Sequence, residues 1–246
     1  MQKEIKKHYI EVNNLSHHYD QMVVLDHISC TIEKGSITAI IGPNGSGKTT
    51  LIQTIVGLIS PSEGVVTIDG KKPQDMRTHI GYVPQQLQFD RTLPITVEEF
   101  LTVYQCKGQD HRYKNIMNVL EEVGLEKQIH QKLGTLSGGQ FQRALIARAI
   151  FHEKDILVLD EPSAGIDIEG EETLYQLIEK LNKKHGTTCI IISHDISIVH
   201  RFADMVICLN KRKICQGLPS STITPEVLQE LYGEDAGVYH HHHTHQ

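Results

Sequence analysis

No stretch of this sequence approaches the roughly 20 consecutive apolar residues needed to cross a bilayer. The longest apolar runs, such as Ile156-Leu157-Val158-Leu159, are strand-sized. The first residues, Met1-Gln2-Lys3-Glu4-Ile5-Lys6-Lys7, lack the apolar stretch of a secretory signal. Basic residues are not in excess: 24 Lys and Arg face 30 Asp and Glu, a net charge of −6 with histidine neutral. That balance argues against nucleic acid as the main partner. Tryptophan is absent, no internal repeat is found, and no heptad run suggests a coiled-coil arm. The five cysteines, at 30, 106, 189, 208 and 215, form no CxxC pair, and several lie in apolar strand-like runs. They read as buried, reduced thiols rather than a disulfide framework or a metal site.

What is present describes a soluble α/β protein. With 246 residues, 39% hydrophobic and 22% charged, the chain can build one sizeable core with a subdomain. Tyr9–Val12, Val23–Leu25, Ile28–Ile32 and Ser36–Ile41 are short β-branched runs separated by polar turns and are predicted as strands. A glycine-rich loop then precedes a helix from about Lys48 to Leu58. Val65–Ile68 with Asp69-Gly70 reads as a strand and its hairpin turn. Residues 87–150 are mostly helical. Thr96 and Glu99 form a capping box, and Ile116, Val119, Leu120 and Val123 mark an apolar face. Alternation then returns: strand Ile156–Leu159, a helix lined by Leu174, Leu177, Ile178 and Leu181, strands Cys189–Ile192 and Met205–Leu209, and a last helix Pro225–Tyr232. Such alternation implies a parallel sheet with right-handed crossovers. We expect one domain over residues 1–238, followed by a His-rich tail at 239–246.

Gly42-Pro43-Asn44-Gly45-Ser46-Gly47-Lys48-Thr49 fits G-x-x-x-x-G-K-[ST] between a predicted strand and a predicted helix, the context that pattern requires. Its glycines let successive N–H groups turn toward phosphate oxygens, and the helix start adds partial positive charge. Lys48 would reach the β- and γ-phosphates, Thr49 would ligate Mg²⁺, and Thr50 completes the segment. Leu157–Leu159 leads into Asp160 and Glu161, carboxylates placed to hold Mg²⁺ through water and to polarise an attacking water. Leu136-Ser137-Gly138-Gly139-Gln140 precedes a helix that begins Phe141-Gln142-Arg143, a second anion site at a helix start.

With that last segment about twenty residues before the acidic strand, the chain resembles the ABC ATPases from Tyr9 to about Gly217. The resemblance implies an ABC-type P-loop ATPase fold: a RecA-like parallel sheet core, an N-terminal antiparallel β subdomain and a helical insert at about 87–150. It implies that ATP and Mg²⁺ are bound. Tyr19 would stack on adenine. Gln85 would join Mg²⁺ and the attacking water to the insert, with Gln86 beside it as a less close match. Asp167, in Ser163-Ala164-Gly165-Ile166-Asp167, would lie in a loop that crosses a dimer interface. His194 would contact the γ-phosphate. Ser137, Gly138, Gly139 and Gln140 would bind the γ-phosphate of ATP held by a second copy.

The implied partners are that second copy, a polytopic membrane permease and, indirectly, an extracytoplasmic metal-binding protein, with no nucleic acid. The implied place is the cytoplasmic face of the plasma membrane. Residues 89–100 would line the groove that receives the permease, and they resemble ATPases of zinc, manganese and iron importers. Zinc import is the expectation; manganese, iron or a metal chelate is the alternative, and an ABC ATPase acting on ribosomes or DNA is a third reading. The tail His240-His241-His242-His243-Thr244-His245-Gln246 reads either as a purification tag or as a native zinc-sensing segment, disordered without metal.

Overall fold

The computed structural model describes residues 8–85, 89–103, 112–151 and 154–233. The His-rich tail, Cys106 and Gln86 lie outside the described residues. The chain forms two compact units, one from residues 8–77 with 190–233, the other from 78–189.

The first unit opens with two long strands, β1 (His8–Tyr19) and β2 (Met22–Glu33). They are followed by β3 (Ile37–Ile41), helix α1 (Lys48–Ile55) and β4 (Glu63–Ile68). Strands β2, β1 and β4 make an antiparallel sheet in that order. The expected pair of short strands at 23–25 and 28–32 is one strand, because irregular registers along β1 absorb the break in alternation. Helix α1 stops at Ile55 rather than near Leu58. Gly57 turns left-handed there, at φ 74°, as glycine does just past a helix end. Asp69 and Gly70, both at positive φ, close the bridge between Ile68 and Lys71, the turn expected there.

The second unit contains β5 (Ile80–Val83), α2 (Val97–Thr102), α3 (Arg112–Val123), α4 (Gly138–Ile150), β6 (Ile156–Asp160) and α5 (Ile168–His185). Strand β7 (Thr188–Ile192) leads the chain back to the first unit. The Thr96/Glu99 capping box starts α2 as expected: Thr96 Oγ1 accepts from Glu99 N, and Glu99 accepts from Thr96 N. Those bonds from Thr96, backbone first, hold the Glu99 carboxyl below its ordinary range. Ile116, Leu120 and Val123 of α3, and Leu174, Leu177, Ile178 and Leu181 of α5, are buried, matching the predicted helical faces. Strands β5 and β6 pair in parallel.

The chain then adds α6 (Ile196–Phe202), β8 (Met205–Asn210), β9 (Arg212–Gly217), α7 (Pro219–Thr222) and α8 (Pro225–Tyr232) to the first unit. Strand β3 pairs in parallel with β8, which pairs antiparallel with β9. Ala39, Ile41, Val199, Val206, Cys208 and Leu231 form one core under this layer. Each unit has a parallel strand pair and helices, and the first also has an antiparallel sheet, the α/β architecture that the sequence implied. Cys30 and Cys189 are buried and outside any disulfide, as expected. Cys208 and Cys215 depart from that expectation: they face each other across β8 and β9, with Cα atoms 4.8 Å apart, and are joined as a disulfide.

Candidate functional site

Strand β3 is buried along its whole length and delivers the chain into the glycine-rich loop. Two of the loop's glycines are required sterically. A Cβ on Gly42 would lie 2.0 Å from the carbonyl oxygen of Leu209, and one on Gly47 would lie 2.6 Å from Leu25 Cδ2 and 2.7 Å from Val24 O. Gly47 is also left-handed, at φ 95°, where it caps α1. Side chains rarely adopt that conformation. The loop is therefore clamped between β2 and the end of β8. The turn after β8 adds a backbone bond, Lys211 N to Ser46 O at 2.9 Å.

Within the loop, Lys48 is buried and its ammonium donates to Gly42 O and Pro43 O, both at 2.9 Å. Asn44, Gly45 and Thr49 are exposed, and Thr50 is buried. Ser46 Oγ is buried without a hydrogen-bond partner among the described residues. An orphaned hydroxyl, a buried ammonium and the start of a helix make a site that a phosphate chain would satisfy.

Tyr19 ends β1 and is 45% exposed. His194 follows β7. Its neighbour Ser193 donates from its backbone N–H to Ile40 O of β3, and Ser193 Oγ accepts from Asp195 N at 3.1 Å. Asp195 in turn caps α6 through Ser197 N and Ile198 N. The first unit thus brings His194 to the strand that carries the loop.

The second unit gathers the other predicted residues. Val83 and Leu159 are partners in the β5–β6 register, so the residues two positions beyond each, Gln85 and Glu161, leave the sheet side by side. Gln85 Nε2 donates to Glu161 Oε2 at 2.5 Å. Asp160, the last residue of β6, is buried. Helix α4 starts at Gly138, three residues before the predicted Phe141, because Ser137 and Gln140 form a capping box of their own. Ser137 Oγ accepts from Gln140 N at 3.2 Å, and Gln140 Oε1 accepts from Ser137 N at 3.0 Å. The hydroxyl keeps its own proton to donate. A Cβ on Gly138 would lie 3.1 Å from Gly165 O, so this helix start rests on the loop that ends at Asp167. Asp167 caps α5 by accepting from Gly170 N. Phe89, at the head of segment 89–100, packs its ring on Phe141 of α4 with centroids 5.8 Å apart.

Sequence reasoning missed the residues that back the phosphate loop. Leu209 and Lys211 act through their backbones, and no side-chain signal marks them. Among the described residues no three His, Cys, Asp or Glu side chains cluster as a metal site. No described helix is long and apolar enough to cross a membrane.

Known proteins resemble the chain throughout. The profile of the ABC transporter family matches residues 25–164. A zinc import ATP-binding protein, ZnuC, of Pseudomonas entomophila is 42% identical over 225 residues, covering 90% of this chain and 84% of the relative. The protein of that name from Pseudomonas aeruginosa is 39% identical over 230 residues, covering 92% and 82%. Among solved structures, cbiO1 of Clostridium perfringens, part of the ABC transporter complex cbiONQ, aligns at TM-score 0.78 and 31% identity over 94% of this chain and 93% of that one. A dimeric bacterial ABC transporter cassette aligns at TM-score 0.75 and 30% identity over 85% and 98%. On these grounds the chain belongs to the ATP-binding subunits of the ABC transporter family.

Proposed function

We propose that this chain hydrolyses ATP to drive a transporter that imports zinc, and that residues 1–238 act as one ABC ATPase domain with a helical subdomain at about 87–150. The cargo rests on one observation, the likeness along 225 residues to proteins named for zinc import. The ATPase chemistry rests on the pairing of Gln85 with Glu161 beside the buried Asp160, in a chain whose other unit carries a formed phosphate loop.

In this reading Lys48 and the N–H groups from Gly45 to Thr50 hold the β- and γ-phosphates, and Tyr19 carries the adenine. Thr49, Gln85 and Asp160 would hold Mg²⁺. They offer hydroxyl, amide and carboxylate oxygens, a donor set that suits a hard cation. Gln85 turns its nitrogen to Glu161, which leaves the amide oxygen as its acceptor end. A cation held there would supply positive charge against the phosphates. Glu161 accepts the proton of the attacking water, and His194 donates to the γ-phosphate, whose transition state needs alignment and charge stabilisation more than covalent chemistry. Ser137, with Gly138, Gly139 and Gln140, serves the ATP held by a second copy, and Asp167 lies at that interface. One relative is a dimeric cassette, which supports a two-fold assembly of this kind.

Segment 89–100 would receive the permease on the cytoplasmic face of the membrane. Leu93 there is 43% exposed, and the segment is tied by backbone bonds to residues 129–133, ahead of the α4 cap. Cells lacking this chain, supplied with zinc, manganese or iron in turn, test the cargo. Loss of zinc uptake alone, restored by the chain and not by its Glu161→Gln variant, is the expected result. Loss of manganese or iron uptake instead would reassign the cargo.

A further inference from the structure

His17 is buried, at 8% exposure, and neither of its ring nitrogens has a hydrogen-bond partner among the described residues. A buried polar group without a partner costs stability that an apolar side chain of similar size would not. What the imidazole does have is a ring contact: it meets the ring of Tyr19 nearly at right angles, 80° between planes, with centroids 4.8 Å apart. This is a preferred arrangement for two aromatic rings.

The backbone around this pair is fixed independently. Ser16 Oγ accepts from His27 N at 3.0 Å, Ser62 N donates to Ser16 O at 2.9 Å, and Ser62 Oγ accepts from His18 N at 3.2 Å. Register shifts fall on both sides of His17, between Leu15 and His17 and between His17 and His18. Irregularities of this kind re-aim side chains. The arm that carries Tyr19 is therefore held, and the freedom left is the half-exposed Tyr19 side chain itself.

We propose that His17 is a positioning residue that fixes the tilt of the Tyr19 ring for stacking on the adenine base. This rests on the reading of Tyr19 as the adenine platform. A ring already set for its ligand loses less entropy on binding. The gain is the same in ground state and transition state, so it falls on KM and not on kcat.

The test uses the full chain with ATP and with inorganic triphosphate, which has no base. His17→Ala should weaken ATP binding about 3- to 10-fold, the range of an aromatic pair contact, leave triphosphate affinity unchanged and raise KM rather than lower kcat. His17→Phe, which keeps a ring at the same place without the orphaned nitrogens, should restore ATP affinity. Tyr19→Ala should weaken ATP and spare triphosphate. If His17→Ala weakens ATP and triphosphate equally, or has no effect on ATP while Tyr19→Ala does, or if His17→Phe fails to rescue, the positioning role is wrong and the platform reading stands. If Tyr19→Ala leaves ATP affinity unchanged, the platform reading fails and takes this proposal with it.

Discussion

The side-chain amide of Gln85 donates to the carboxylate of Glu161 at 2.5 Å, and the bond follows from strand register. Val83 of β5 lies opposite Leu159 of β6 in a parallel pair, so each strand sends out its polar residue two positions later on the same side. Glu161 also carries a left-handed backbone, at φ 50°, which is uncommon for a residue with a side chain. Strain of this sort persists where surrounding structure imposes it and often marks a working site. The proposed base is thus held by the residue that leads toward segment 89–100.

Glu161→Gln should therefore keep ATP binding while hydrolysis falls by at least about 100-fold, the scale of losing general-base assistance. ATP that cannot be cleaved should hold two copies together by mass action. Light scattering with ATP present should report the dimer. A monomeric variant that turns over ATP at the parental rate would remove both the base role and the two-copy site.

Lys48→Ala tests the phosphate loop. Its ammonium is buried and held by the loop carbonyls of Gly42 and Pro43. Removing a buried, hydrogen-bonded charge that pairs with a ligand costs roughly 2–5 kcal/mol of binding. Equilibrium titration with ATP should show a loss of at least about 30-fold, the lower end of that range. Unchanged affinity would mean that the loop is a glycine-rich turn with an incidental lysine.

The loop was legible in the sequence because glycine spacing, a strand before it and a helix after it are all local signals. The register that sets Gln85 against Glu161 was not. Strand β5 is only four residues long and contains Gly81, whose Cβ would meet Ala149 O at 2.4 Å. The glycine answers to helix packing and erases the strand signal. Strand β9 was missed for another reason. Among the described residues it pairs only with β8, and it opens with Arg212-Lys213, the polar composition that protects an edge. Without β9 the pairing of Cys208 with Cys215 could not be foreseen, since it depends on that register. The α4 start was misplaced although Ser137-x-x-Gln140 spells its own cap. The two glycines between them, poor helix formers, hid it.

Burial pushes the Cys30 thiol up to about 11 from an ordinary 9.0. The folded value is the higher one, so the stabilisation it represents is present below pH 9 and is lost as pH rises toward 11. The unfolded chain releases the proton first. The gap between 9.0 and about 11 corresponds to roughly 2–3 kcal/mol at full deprotonation. Cys30→Val leaves an apolar side chain at the site and removes the titration. Urea midpoints followed from about pH 8 to about pH 11 should fall less in the variant than in the parent. Parallel decline in the two proteins would show that Cys30 does not contribute.

Ser137 has two separable tasks, capping α4 and, as proposed, donating to the phosphate of ATP on a second copy. Alanine removes both, so Ser137→Ala should lose about 1 kcal/mol of stability along with activity. Aspartate separates them. Its carboxylate is as good a cap, and accepts from Gln140 N as the hydroxyl does, but it has no proton to give and repels a phosphate. Ser137→Asp should melt within about a degree or two of the parent, since surface changes that keep a cap shift stability little. Its ATPase rate should nonetheless fall by at least about 100-fold, the scale of losing a donor aimed at transition-state charge. The two measurements together decide the assignment. Parental melting with parental ATPase would leave Ser137 a cap and nothing more, and the second copy would then have no role in hydrolysis through this helix.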